Sequence, residues 1–430
     1  VLVAETSRAT RPDAAGDVSA VAAKILDERL LAAGPRPLAV AFSGGGDSLA
    51  LLLAAEAWAR RHGRELLALT VDHRLQPQSR AWTEACAATA ARLGVRFEAL
   101  AWEGEKPAQG LPAAARAARH RLLAAAARRA GARVILIGHT ADDRLEVKAM
   151  RQAGSTTPDP RVWSPSPSWP EGRGVFLLRP LIGVRRAAIR RWLSARGEGW
   201  IDDPANDDPR FARARARRDL GPDAAPIGAA APAPLELARH CRAGPSDGLS
   251  IARTALRQAS LETAHRLVAL AAVCAGGGDR TPGRGALDRV LALLRGDADV
   301  TATLAGARIE ADGREVRFLR EAGETARGGL SPVALRADEP AVWDGRFELT
   351  ATRDGLEARA LAGLSRRLPD AQRRALAALP APARPGLPVV VDASGAVSCP
   401  LLADEGGVIV RSLVQDRLLA AAGLVEREPG

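Results

Sequence analysis

The chain has 430 residues, 47% of them hydrophobic, enough to bury more than one core, since domains usually hold about 100 to 200 residues. Its 61 Lys and Arg against 50 Asp and Glu leave a formal charge of +11, which suits a polyanionic partner, a nucleic acid or an anionic membrane surface, and which an Arg- and Ala-rich composition also gives by itself. Cys86, Cys241, Cys274 and Cys399 form no C-x-x-C pair, which argues against a zinc site or a disulfide framework, and no apolar run reaches the roughly 18 residues of a membrane span, so a cytoplasmic protein away from membranes is expected.

In chain order, Leu38–Phe42 reads as a buried strand and Ser48–Arg61 as a helix. Leu66–Val71 and Val134–Ile137 are further buried strands, with helical periods over Arg80–Leu93 and Ala113–Ala130 between them. This alternation predicts an α/β fold, a parallel sheet with helices on both faces, whose ligands bind beyond the carboxyl ends of the strands. Pro158–Pro170, rich in Pro and Trp, reads as a loop, and the Ala- and Pro-dominated stretch 221–234 as a linker. The expected domains are therefore a first unit over 1–220, to which the site motifs below belong, and a second region over 235–430, helical first and then strand-rich. Within it, Leu235–Val273 and Gly285–Leu294 carry helical periodicity, and Ala302–Leu319 alternates around Asp312-Gly313 as a hairpin. Ala341–Phe347 and Leu387–Asp392 read as short strands.

Directly after the first strand stands Ser43-Gly44-Gly45-Gly46-Asp47-Ser48. Consecutive glycines let the backbone approach a ligand closely, so N–H groups converge on phosphate oxygens while the following helix adds its N-terminal dipole. The alternative is a plain strand-to-helix turn capped by Asp47 or Ser48. The string lacks the Gly-Lys-Ser/Thr ending of a Walker loop.

A second cluster follows the Val134 strand: Gly138-His139, then Asp142-Asp143 and Glu146. On a helix, His139, Asp143 and Glu146 at i, i+4 and i+7 share one face, with Asp142 about 100° away. A carboxylate pair in a phosphate site can hold Mg²⁺, with Asp47 and Asp143 as candidate ligands, or receive a substrate ammonium group; simple helix capping is the alternative. Arg116 and Arg119, at i and i+3 of an Ala-rich helix, suit a phosphate or a developing negative charge, or are surface arginines. Asp72 ends the second strand, where a carboxylate meets the ribose or adenine end of a nucleotide.

The Ser-Gly-Gly-x-Asp-Ser loop resembles that of N-type ATP pyrophosphatases, the PP-loop superfamily, which split ATP into AMP and pyrophosphate. Taken in order, the loop, Asp72-His73, the Ala-Ala-Arg116 helix, Gly138-His139 to Glu146, Arg179-Pro180-Leu181, and Asp203-Pro204-Ala205-Asn206 followed by Phe211, Arg213 and Arg217 resemble the tRNA(Ile)-lysidine synthase family over about residues 35 to 220. The family pattern has Asp-His-Gly where this chain has Asp72-His73-Arg74, and Glu-Thr where it has Glu146-Val147. The resemblance implies a carbon–nitrogen ligase that adenylates the wobble cytidine of an isoleucine tRNA with ATP and Mg²⁺ and then joins free lysine to its C2. It implies ATP on Ser43, Gly44, Gly45, Gly46, Asp47, Ser48 and Asp72, and a catalytic set of Asp47, Arg119, His139, Asp143 and Glu146. Asp143 and Glu146 would receive the lysine, and Arg116, Arg179, Arg213 and Arg217 would meet tRNA or phosphate. A thiolase-like PP-loop enzyme and a tRNA-binding protein with weakened catalysis are the alternatives; the first usually needs reactive cysteines or a C-x-x-C pair.

Overall fold

The computed structural model describes residues 17–107, 109–154, 160–164, 174–203, 212–219, 233–244, 246–278, 281–323, 330–403 and 407–430. The first region runs α1 (Val18–Arg29), β1 (Leu38–Ala41), α2 (Gly46–His62), β2 (Leu66–Asp72), α3 (Ser79–Arg92), β3 (Arg96–Ala101), α4 (Leu111–Arg129), β4 (Val134–Leu136), α5 (Ala141–Gln152), β5 (Trp163–Ser164), β6 (Phe176–Leu178), α6 (Arg186–Ser194) and α7 (Ala212–Asp219). The strands form one sheet in the order β3-β2-β1-β4-β6-β5, parallel except for β5. β1 is a run of apolar residues because both its faces are covered. On one face Leu38 and Val40 meet Leu51, Leu52 and Trp58 of α2; on the other Ala39, Leu67 and Ile135 meet Leu123 and Ala127 of α4. Trp58 is 1% exposed and ties α2 to α1 by donating Nε1–H to Asp27 at 2.6 Å. Burying a large apolar side chain is worth about 1.5–3 kcal/mol, so this layer accounts for much of the region's stability.

The helices expected over Ser48–Arg61, Arg80–Leu93 and Ala113–Ala130 are α2, α3 and α4, with ends shifted by a residue or two. β3 and β6 are additional. β3 lies at the sheet edge, where Arg96 and Glu98 reach outward to Glu65 and Arg129 and break the apolar signal. β6 is three residues long. Of the stretch Pro158–Pro170, residues 160–164 are described and contribute β5, with Trp163 stacked on Phe176 at 4.7 Å between ring centroids. The linker 221–234 lies outside the described residues except for Ala233 and Pro234.

The second region begins with β7 (Arg242–Ala243), β8 (Leu249–Ala252), α8 (Arg253–Gln258), α9 (Leu261–Ala275), α10 (Arg284–Arg295), β9 (Val300–Leu304), β10 (Ala307–Ala311) and β11 (Glu315–Arg320). Its sheet, β7-β8-β11-β10-β9, packs on α9. The expected hairpin around Asp312 is β10–β11, extended by β9. The expectation of helix throughout Leu235–Val273 is corrected: Leu249 and Ile251 alternate inward and pair with Phe318 and Val316, so β8 is a strand. The remainder is β12 (Val333–Leu335), β13 (Pro340–Trp343), β14 (Phe347–Ala351), β15 (Leu356–Ala360), α11 (Asp370–Ala377), β16 (Pro388–Asp392), β17 (Val397–Ser398), β18 (Val408–Ser412) and α12 (Val414–Ala421). Two small antiparallel sheets, β12-β15-β16-β17 and β13-β14-β18, share a core containing Trp343, Phe347, Leu349, Leu356 and Val390.

Candidate active site

β1 lies between β2 and β4, so the chain leaves β1 where the strand order reverses, the position at which open parallel sheets form a ligand crevice. The glycine loop fills that position. Gly44 has φ +78°, and a Cβ there would collide with Ile201 and stand 3.0 Å from Cys86 Sγ, so both conformation and space require glycine. The loop is closed by Ser48, whose hydroxyl donates to Gly45 O at 2.8 Å and accepts Ser43 N–H at 3.2 Å, and it is pinned by Ile201 N–H donating to Gly44 O at 3.0 Å. Among the described residues no side chain caps α2, so its first amides suit an anion. Gly138, after β4, brings the second motif against this turn: a Cβ there would lie 3.0 Å from Asp47 O.

Three carboxylates converge on one guanidinium. Arg186, the first residue of α6, donates Nε–H to Asp47 Oδ2 at 2.9 Å and Nη1–H to Glu146 Oε1 at 3.2 Å, and its Nη2 stands 3.7 Å from Asp143 Oδ2. The Glu146 side chain is 1% exposed and its Oε1 also accepts Arg217 Nε–H at 2.9 Å, so it is not a solvated helix residue. Asp143 Oδ2 accepts the N–H of Thr140 at 2.8 Å and thereby also caps α5. Asp142 turns away, accepting Arg186 N–H at 2.7 Å and pairing with Arg185 at 3.2 Å, which anchors α6 on α5. Burial raises the pKa of Asp47 while Arg186 opposes the rise, and its buried Oδ1 has no hydrogen-bond partner among the described residues. The carboxylates around Arg186 hold that guanidinium's pKa above its ordinary value despite burial.

His139 does not ride on α5 with the carboxylates. The helix starts at Ala141 with Thr140 as its N-cap, so the expected shared face is corrected for this residue. Instead His139 Nδ1 accepts Arg179 Nε–H at 2.8 Å, which keeps Nδ1 unprotonated and assigns the ring proton to Nε2. As placed, His139 meets Arg179 and is set off from the α5 carboxylates. Arg179 is turned inward, 5% exposed, and also donates to Arg161 O at 2.9 Å; burial, with Arg116 nearby, lowers its pKa to about 10. Arg119 is exposed and acts electrostatically on His73, whose pKa falls to about 4, chiefly through burial. His120, beside Arg116 and Arg119, falls to about 3 for the same leading reason. Asp72 stands apart from the carboxylate group and accepts Arg74 N–H at 2.8 Å.

Ser43 to Ser48, Asp143 and Glu146 are thus brought together, with Arg217 beside Glu146, while Arg116, Arg119 and Arg179 gather around His120, with Arg179 also in the field of Asp143, and Arg213 has its side chain outside the described residues. Sequence reasoning missed Arg186. A signal existed: Arg185 and Arg186 open a helix with no acid in its first turn, where cations oppose the helix dipole unless anions face them.

Two kinds of similarity bear on this arrangement. A family model described as a PP-loop domain matches residues 18–224. The tRNA(Ile)-lysidine synthase of Caulobacter vibrioides is 48% identical over 409 residues, covering 94% of this chain and 97% of that protein. The enzyme of the same name from Rhizobium meliloti is 34% identical over 339 residues, 73% of each chain, and that from Hyphomonas neptunium is 48% identical over 202 residues, 46% of this chain and 53% of that protein. With 48% identity over nearly the whole length of both chains shared with the first of these, the chain belongs to the tRNA(Ile)-lysidine synthase family.

Proposed function

We propose that this chain uses ATP to activate the wobble cytidine of an isoleucine tRNA and joins lysine to its C2. The observation that carries the reading is the meeting of the glycine-loop helix and the Asp143–Glu146 pair at Arg186, which sets an anion site and a cation site side by side. Cytosine O2 attacks the α-phosphorus of ATP and pyrophosphate leaves. The lysine ε-nitrogen then attacks C2, and AMP departs carrying O2. An amine with an ordinary pKa near 10.4 must shed a proton before it attacks, and Asp143 and Glu146 are the carboxylates that hold the ammonium and take that proton. The glycine loop and the start of α2 bind the phosphates, while Arg116 and Arg119 offset negative charge as the α-phosphate is attacked.

The residues fit Mg²⁺. Mg²⁺ is usually held by one or two carboxylates plus substrate phosphates, and Asp47 offers a buried Oδ1 without a partner among the described residues, with Asp143 behind it. Asp47 would hold the ion, whose chemistry is to neutralise phosphate charge, and Asp143 would join it only in the alternative in which that carboxylate serves the phosphates and not the lysine. Region 235–430 carries much of the tRNA affinity in this reading, through phosphate contacts that weaken steeply with salt.

Measuring the two half-reactions in Glu146→Gln tests the assignment. Pyrophosphate release with ATP and tRNA alone is expected to persist within a few-fold of wild type, while transfer of lysine to the trapped adenylate falls by about 10²-fold or more, the range of general acid–base catalysis. Equal loss of both steps reassigns Glu146 to the phosphate side.

A further inference from the structure

Arg186 occupies the place where a substrate ammonium would have to sit. Its guanidinium bridges Asp47, Asp143 and Glu146, and its side chain is 18% exposed, against 20%, 9% and 1% for the three carboxylates. Glu146 is held by Arg217 as well. An ammonium entering beside these largely buried carboxylates meets the positive charge of Arg186, and like charges out of water repel far more strongly than in it. Arg186 also has somewhere else to go. It lies one turn before Arg190 on α6, and Arg190 lies against Gly46, where a Cβ would overlap its guanidinium. Both side chains therefore stand at the rim of the glycine loop, and a triphosphate seated there competes with the carboxylates for Arg186, through charge and through a fork of donors that matches phosphate oxygens.

We propose that Arg186 is a positioning residue that orders the reaction: without nucleotide it blocks the Asp143–Glu146 site against lysine, and the phosphates of ATP draw it away and open that site. This inference rests on the functional reading above, because it takes lysine as the occupant of the carboxylate pair. Ordering of this kind protects the reaction, since the amine is admitted only where a nucleotide is already seated.

The test is calorimetric titration of L-lysine into the full chain with and without a non-hydrolysable ATP analogue and Mg²⁺. Wild type is expected to bind lysine at least ten-fold more tightly with the analogue present, and lysine to tighten the analogue by the same factor, as linkage requires. Arg186→Met should bind lysine without nucleotide and lose the coupling, whereas Arg186→Lys, keeping the charge, should retain the block. The reciprocal measurement needs no variant, so it stands if Arg186→Met fails to fold. Equal lysine affinity in wild type with and without the analogue overturns the gate. So does the absence of lysine binding in either state while tRNA still acquires lysine, because the amine then enters elsewhere. Absence of both binding and lysine transfer overturns the functional reading itself, and the gate with it.

Discussion

His73 and His120 lie in the field of Arg116 and Arg119, and burial holds both neutral, with pKa values near 4 and 3. Unfolding returns them towards 6.5, so the unfolded chain binds more protons once the pH drops below that value. Their contribution to stability is therefore fully present above about pH 6.5 and is lost as the pH falls towards 4 and then 3. Asp47, with its pKa raised by burial, works in the opposite sense and favours the fold as the pH falls. The urea midpoint is expected to drop between pH 7 and pH 5, and His120→Gln to reduce that drop; an unchanged drop in the variant contradicts this account. At this scale the sequence was legible for which carboxylates come together, as Asp47, Asp143 and Glu146 do at Arg186. Arg186 was obscured because 61 Lys and Arg surround the eye with candidates, and only packing selects the one that faces three carboxylates. His139 was misplaced by a helix start two residues later than its spacing suggested. Arg74, which replaces the family's glycine, holds φ at +51°, a conformation that glycine adopts without strain.

Among the elements, the glycine turn gives the sharpest contrast between neighbours. Gly44 has a positive φ and no room for a Cβ, whereas a Cβ on Gly45 would make only ordinary contacts, 3.6 Å from Ser43 Oγ and 3.8 Å from Ile201 O. Gly44→Ala should cost roughly 1–3 kcal/mol of stability through strain and overpacking and weaken ATP binding, while Gly45→Ala should leave the melting temperature nearly unchanged. Similar melting shifts for the two would show that the turn relaxes freely. The βα alternation was readable because α2 and α4 cover both faces of β1, making its strand a continuous apolar run. Short or edge strands were not: β6 has three residues, β3 carries charges at the sheet edge, and β8 alternates over four residues in an Ala-rich context that also fits a helix.

Over the whole molecule, the segment 425–430 returns to the first region and locks there. Glu428 takes two hydrogen bonds from Arg64, both at 2.9 Å, and each side chain of the pair is 1% exposed. Glu428 N–H donates to Arg29 O at 2.7 Å, and Trp163 Nε1–H donates to Val425 O at 2.8 Å. A second tie joins Glu348 of β14 to Arg133 and Arg128 beside β4. Removing one member of a buried pair leaves the other charge uncompensated, so Glu428→Gln should destabilise the protein by about 3–5 kcal/mol in urea unfolding. A loss under about 1 kcal/mol would place that pair in water. None of this contact was legible in the sequence, since 364 residues separate the partners. The central claim, that a chain built this way ligates lysine to tRNA, is tested most directly by incubating it with ATP, isotopically labelled lysine and an isoleucine tRNA and analysing the digested nucleosides by mass spectrometry. The account predicts one cytidine that has gained a labelled lysine with loss of water, dependent on ATP. Nucleosides without label, under conditions where the chain consumes ATP with that tRNA, would contradict it.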